Sequence, residues 1–318
     1  MRPIAWKDHY RGELEAAGSR RRLVEWLERG ADDRIVEAIE RRAIVSAPHT
    51  KLEASGQLLA AWVAAVFSIP IDRILALGVL HSGGVPALRT ALDDTVDLAA
   101  RRTAFDEVRG AFTPQTRAVE TPFGVQPIVR LDEEPEVLRA DRSGLLREEF
   151  SLDTLLAVLR LGAEVFGREP IPVELLYVGM TRDPIEGGFG VADRVAVWLR
   201  SRWDARTAVV ATGDLVHYGA VYGTGTGRPG DREELTTMFR AEVQATLRLA
   251  LADADLEAAW QRCTEVLGND QREILPVIVS AIAPPTSFRI LHFELTDYAS
   301  VFDVPRPCDV ASALVVYG

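Results

Sequence analysis

Ile74-Leu75-Ala76-Leu77-Gly78-Val79-Leu80 is an apolar run without alternation, and it ends on His81-Ser82-Gly83. A strand buried on both faces reads this way, and such strands belong to parallel sheets covered by helices. Outward from it, Ala43-Ile44-Val45-Ser46-Ala47 comes before, stopped by Pro48-His49. Val173-Glu174-Leu175-Leu176-Tyr177-Val178 and Ala208-Val209-Val210-Ala211-Thr212 come after. Phe288-Arg289-Ile290-Leu291-His292-Phe293 and Ala313-Leu314-Val315-Val316-Tyr317 complete the set. Helical patterning fills the gaps, at 52–67, 144–165, 189–201, 231–251, 253–266 and 271–283. Strands alternating with helices predict an α/β fold: one three-layer domain, a mostly parallel central sheet with helices on both faces.

Residues 1–42 are charged and helical, with Leu23, Trp26 and Leu27 at helical spacing, so they read as an N-terminal helical extension covering the domain 43–318. Segment 101–145 is less periodic. Within it Thr121-Pro122-Phe123-Gly124 reads as a turn and 130–136 as a charged loop. No stretch has the composition of an interdomain linker, and Trp26, Trp62 and Trp203 sit in apolar helical surroundings as packing residues.

The 318 residues are 47% hydrophobic and 26% charged, the balance of a globular chain with a sizeable core. Lys and Arg number 36 against 47 acidic residues, a net charge of −11 that argues against nucleic acid as a partner. Cys263 and Cys308 are too few for a disulfide framework, so a reducing cytoplasm is the expected location. The first residues contain no apolar signal core, and the longest apolar stretch, 58–71, is interrupted by Ser68 and Pro70. Neither a secretory signal nor a membrane span is expected.

Of five histidines, three hold equivalent places: His49 and His81 just after strand runs, and His217 five residues after Thr212. Ligands of open α/β sheets bind beyond the carboxyl ends of the strands, where these imidazoles can converge. Imidazole is both a common metal ligand and the usual general base near neutral pH. His9 in the extension and His292 inside a strand read as structural.

The order of short motifs is also distinctive. Ala47-Pro48-His49, Leu77-Gly78-Val79-Leu80-His81-Ser82-Gly83, Thr121-Pro122-Phe123-Gly124 and Glu149-Phe150-Ser151-Leu152-Asp153 come first. Leu176-Tyr177-Val178-Gly179, Thr212-Gly213-Asp214-Leu215-Val216-His217-Tyr218-Gly219 and the closing Ser312-Ala313-Leu314-Val315-Val316-Tyr317-Gly318 follow. This series resembles the Memo family, whose fold is shared with class III extradiol dioxygenases of the protocatechuate 4,5-dioxygenase type. The resemblance runs from about residue 43 to the end. Two departures stand out: Phe150 occupies the place of a Memo histidine, and no cysteine stands at the late-helix position where Memo carries its third metal-site residue.

The resemblance implies a metal held by His49, His81 and a late carboxylate. Glu273 is the expected third ligand, as in the dioxygenases, with Asp270 and Glu265 as its competitors. Two His and one carboxylate form a facial triad suited to non-haem Fe(II), O₂ and a bidentate substrate. The resemblance further implies His217 as acid/base, with Asp214 orienting it or a ligand; the competing role for Asp214 is a turn cap. The expected function is extradiol cleavage of a small aromatic substrate, a catechol or 2-aminophenol, with Fe(II) as cofactor. A Memo-like iron- or copper-binding redox or protein-interaction role is the alternative, and a zinc hydrolase is a third. A homodimer would be unsurprising for such a fold.

Other features carry less. Gly223-Thr224-Gly225-Thr226-Gly227-Arg228-Pro229-Gly230 lacks the strand-to-helix setting and the Lys-Ser/Thr ending of a phosphate loop, and reads as a mobile loop near the site. Thr50, Ser82 and Tyr218 flank the histidines as hydrogen-bonding groups, and Asp132-Glu133-Glu134 reads as solvated loop.

Overall fold

A computed structural model describes residues 4–81, 85–134, 136–142, 144–224, 231–282, 284 and 286–318. The chain opens with α1 (Trp6–Glu15), α2 (Ser19–Glu28) and α3 (Asp33–Glu40), then β1 (Ile44–Ala47), α4 (Leu52–Ser68) and β2 (Arg73–Val79). Helices α5 (Pro86–Leu92) and α6 (Leu98–Val108) lead to β3 (Ala111–Thr113), the hairpin β4 (Ala118–Thr121) and β5 (Gly124–Pro127), and β6 (Leu138–Ala140). Next come α7 (Asp153–Val165), β7 (Val173–Val178), α8 (Gly190–Arg202), β8 (Thr207–Thr212) and β9 (His217–Gly219). The last third holds α9 (Arg232–Leu251), α10 (Leu256–Arg262), α11 (Ile274–Ala281), β10 (Phe288–Asp297), α12 (Ala299–Phe302) and β11 (Cys308–Tyr317).

The main sheet runs β10-β11-β1-β8-β2-β7-β3-β6, with β9 paired to β11. Its centre, β1-β8-β2-β7, is wholly parallel, in registers such as Val45↔Val210, Leu75↔Val209 and Leu77↔Leu176. Antiparallel pairing sets in toward the edges, where β11 meets β1, β10 and β9, and β3 meets β7. Apolar runs form the parallel centre, and the equally buried run of β11 pairs antiparallel beside it. On one face, Leu59, Trp62, Val63, Leu155 and Leu159 of α4 and α7 form the core. On the other, Val195, Leu199, Phe239, Val243, Leu275 and Ile278 of α8, α9 and α11 form a second. A mixed α/β domain with helices on both sides of a large sheet results.

Leu14, Leu23, Leu27, Ile35 and Ile39 from α1–α3 join the first core, so the N-terminal extension is packed into the domain. The turn at Thr121-Pro122-Phe123-Gly124 closes the β4–β5 hairpin, as its composition implies. The helix expected from 144 instead begins at Asp153. Carboxylates capture the preceding backbone: Asp141 accepts the N–H groups of Gly144, Leu145 and Leu146, and Glu149 those of Phe150 and Ser151. Such side-chain acceptors compete with helical hydrogen bonds, leaving 145–152 as a loop. Among the described residues no helix is long and apolar enough to cross a membrane.

Candidate metal centre

The four central parallel strands point their carboxyl ends at one edge, and three of them deliver a titratable piece of the site, while β7 leads to Met180 in the cavity wall. β1 ends two residues before His49, β2 two before His81, and β8 two before Asp214. His217 opens β9, which turns back onto β11. The late segment supplies Asp270 through a single-turn helix, Asp270–Arg272.

Two glycines make that convergence possible. Gly213 lies at φ +154, and a Cβ there would stand 2.5 Å from Cγ of Gln271. The Gln271 side chain passes over it to donate from Nε2 to Ser46 Oγ at 2.6 Å and to the Gly213 carbonyl at 2.7 Å. Gly268, at φ +58, turns the chain after a π-helical turn over Cys263–Leu267 and aims its carbonyl at His217. The Asp270 amide then donates to the Asp214 carbonyl at 2.9 Å, which locks both acidic residues together.

The resulting geometry is centred on Asp270. Its Oδ2 lies 3.2 Å from His49 Nε2, 3.5 Å from His81 Nε2 and 3.6 Å from His217 Nε2. Asp214 Oδ2 is 3.7 Å from His49 Nε2 and 3.9 Å from His217 Nε2. Among the described residues two overlapping sets could hold an ion, His49-His81-Asp270 and Asp214-His217-Asp270, with the ligand atoms of a set all within 4.8 Å of one another.

Tautomers decide what this cluster needs. His217 Nδ1 donates to the Gly268 carbonyl at 2.7 Å, and His81 Nδ1 donates to Glu149 Oε1 at 3.0 Å. In the neutral form each ring therefore presents its Nε2 lone pair to a carboxylate oxygen. Lone pair against anion is repulsive unless a proton or a metal cation sits between them. A dication among His49, His81 and Asp270 relieves the repulsion at His81, and a proton on Nε2 relieves it at His217, so the donor set fits a metal beside a titratable imidazole.

The same concentration of negative charge around the rings shows in the charge balance. Burial works against a charge on His81, but Glu149 and Asp270 beside it hold its pKa well above the ordinary imidazole value. Burial likewise penalises Glu149, yet the His81 charge and backbone N–H donors bring it down to about 2. Asp270 is held well below the usual carboxylate range against its burial by His217, His49 and His81. Asp214, fully enclosed, is pushed up by burial despite His49 and His217.

The expected residues are therefore brought together with one correction. His49, His81, His217 and Asp214 converge, but Glu273 does not join them as third ligand. Its carboxylate accepts from the Thr181 amide at 2.7 Å and the Thr181 hydroxyl at 3.0 Å, with Trp260 Nε1 at 3.4 Å. Glu273 still borders the cavity, three residues beyond Asp270, the competitor whose carboxylate lies among the imidazoles. Glu265 is exposed. Asp214 does more than cap a turn: its Oδ1 accepts the His49 amide at 3.2 Å. Thr50 is spent on Ser312, 2.7 Å away, and Tyr218 packs on Phe239. Ser82 and 225–230, the greater part of the glycine-rich loop, lie outside the described residues.

Four side chains went unassigned from sequence. Glu149 binds His81; Trp6, Tyr10 and Tyr298 line the same cavity of about 400 Å³ as the histidines. Phe150 stacks on the His81 ring at 4.4 Å and 17° and meets His49 edge-on at 5.6 Å. The motif Glu149-Phe150-Ser151 signalled Glu149, whereas nothing local marked α1 as part of the site.

The sequence matches no model of a known protein family, and no curated protein matches it.

Proposed function

We propose that the protein is a non-haem Fe(II)-dependent oxygenase of the extradiol type, cleaving a catechol- or 2-aminophenol-like ring with O₂. The observation that carries this reading is the grouping of His49, His81 and Asp270 in a cavity walled by aromatic rings. His49, His81 and Asp270 would hold Fe(II) there, and the metal would supply a dication able to bind O₂ and a catechol.

The chain's own groups perform the remaining work. Glu149 fixes His81 in the tautomer that offers Nε2. His217, oriented by the Gly268 carbonyl, has Nε2 facing the cluster and takes the proton of the substrate hydroxyl there. The same nitrogen returns it to an oxygen of the opening ring. Asp214 lies 3.9 Å from that nitrogen and stabilises the imidazolium formed in between. Phe150, Leu88 and Met180 border the cavity and limit the water around the reacting ring.

The test is oxygen uptake with concurrent near-visible absorbance, using protein prepared anaerobically, loaded with Fe(II) and offered catechols and aminophenols. Uptake matched by a yellow ring-fission product is the expected result. Stoichiometric iron without uptake favours the Memo-like metal-binding role, and hydrolytic activity supported by Zn²⁺ but not Fe(II) favours the hydrolase.

A further inference from the structure

The N-terminal helix α1 lies outside the stretch that resembles the Memo family, yet it reaches the metal-side cavity. Trp6 and Tyr10 line that cavity together with His49, His81 and Asp270. Their rings continue a stack that starts on a metal-side imidazole. Phe150 lies on His81 at 4.4 Å and 17°, Tyr10 follows Phe150 at 5.2 Å and 30°, and Trp6 follows Tyr10 at 5.7 Å and 22°.

The helix is pinned to the loops that carry the ligands. Lys7 Nζ donates to the carbonyls of Arg147 at 3.1 Å and Glu149 at 3.0 Å. Glu13 Oε2 accepts the Leu52 amide at 2.9 Å, three residues beyond His49. The Tyr10 hydroxyl meets that of Tyr298 at 3.2 Å, and Tyr298 accepts the Lys51 amide at 2.7 Å. A helix serving only as cover would turn its large apolar side chains into the core, as Leu14 of α1 does. Trp6 packs on Phe302 and the small cluster around Tyr298, yet it is only half-buried and, with the buried Tyr10, borders the cavity.

We propose that α1 completes the substrate site, with Trp6 and Tyr10 as the specificity-determining wall that selects a planar aromatic ligand over an aliphatic chelator of the same denticity. Flat rings gain from offset or edge-to-face contact with such a wall, whereas an aliphatic chelator draws its affinity from the metal alone. The inference rests on the proposed metal-bound aromatic substrate but requires no turnover.

The experiment measures binding of 4-nitrocatechol, by its visible band shift, to the full chain loaded anaerobically with Fe(II). Acetohydroxamate, read by displacement of the nitrocatechol, is the aliphatic reference. Trp6→Ala should weaken nitrocatechol about tenfold and leave acetohydroxamate unchanged, and Trp6→Phe should restore most of the difference. Unchanged hydroxamate affinity also reports an intact metal site in the variant. The inference is overturned if wild type does not bind nitrocatechol, if Trp6→Ala binds it normally, or if both ligands weaken equally. Ring selectivity without oxygen uptake would sink the dioxygenase reading alone; uptake with a silent Trp6→Ala would sink this inference alone.

Discussion

His81 and Glu149 form the tightest electrostatic couple beside the candidate metal cluster: Nδ1 sits 3.0 Å from Oε1, and the His81 amide donates to Oε2 at 2.8 Å. The carboxylate is buried and accepts the Phe150 and Ser151 amides as well, both at 2.8 Å. One acidic side chain therefore shapes the loop before α7, sets the imidazole tautomer and raises the basicity of the nitrogen that faces Asp270.

Replacing Glu149 by Gln keeps the volume but removes the charge. Metal affinity should fall about 10- to 100-fold, the usual effect of losing a carboxylate behind a ligand histidine. Competition against a chromophoric chelator measures it, and unchanged affinity would show that His81 is not a ligand.

Asp270 and Glu273 should respond in opposite ways. Asp270→Asn removes the oxygen around which three imidazoles converge, and stoichiometric metal should be lost. Glu273→Gln should retain the metal but lower the free energy of unfolding by about 1–3 kcal/mol, because Thr181 and Trp260 lose a buried charged acceptor. Elemental analysis paired with urea melts separates the two; metal lost from Glu273→Gln and kept by Asp270→Asn would reverse the assignment.

How far the sequence carried can be traced through these residues. His49, His81 and His217 were legible because a buried parallel strand is an apolar run whose end is sharp, and the sheet places such ends together. The carboxylate that meets them was not. A π-helical turn at Cys263–Leu267 and the αL residue Gly268 precede a single-turn helix at Asp270–Arg272, so the helix expected from 271 starts at Ile274 and the acid facing the imidazoles is Asp270. Trp6, Tyr10 and Tyr298 were equally hidden, since an aromatic at a helix surface looks the same whether it faces a core or a cavity. The antiparallel edges escaped notice for a related reason: β10 and β11 carry apolar runs like those of the centre, and only tertiary pairing sets their direction.

His217→Ala tests the acid/base role without touching the ligand set His49-His81-Asp270. Iron content should stay stoichiometric and nitrocatechol should still bind, while ring-cleavage turnover falls about 10²–10⁴-fold. Steady-state kcat alongside iron analysis provides the check. Lost iron would instead place His217 among the ligands, and unchanged turnover would remove it from the proton path.

Asp153 provides a prediction for stability that involves no metal ligand. Burial pushes its carboxyl up to about 6, with Lys7 opposing and Glu149 adding to the rise. A carboxyl raised in the folded state favours the protonated form there, so its stabilising contribution is complete below the unfolded value near 4 and is lost as pH climbs through 6. Lys7, 3.9 Å away and half-exposed, compensates only in part. Between pH 4 and pH 6.5 the wild type should therefore lose on the order of 1–3 kcal/mol relative to Asp153→Asn, whose side chain does not titrate. Urea unfolding of both proteins across that interval measures the difference directly. Parallel stability profiles, with no change in the gap between them, would show that Asp153 ionises in the fold as it does in the unfolded chain.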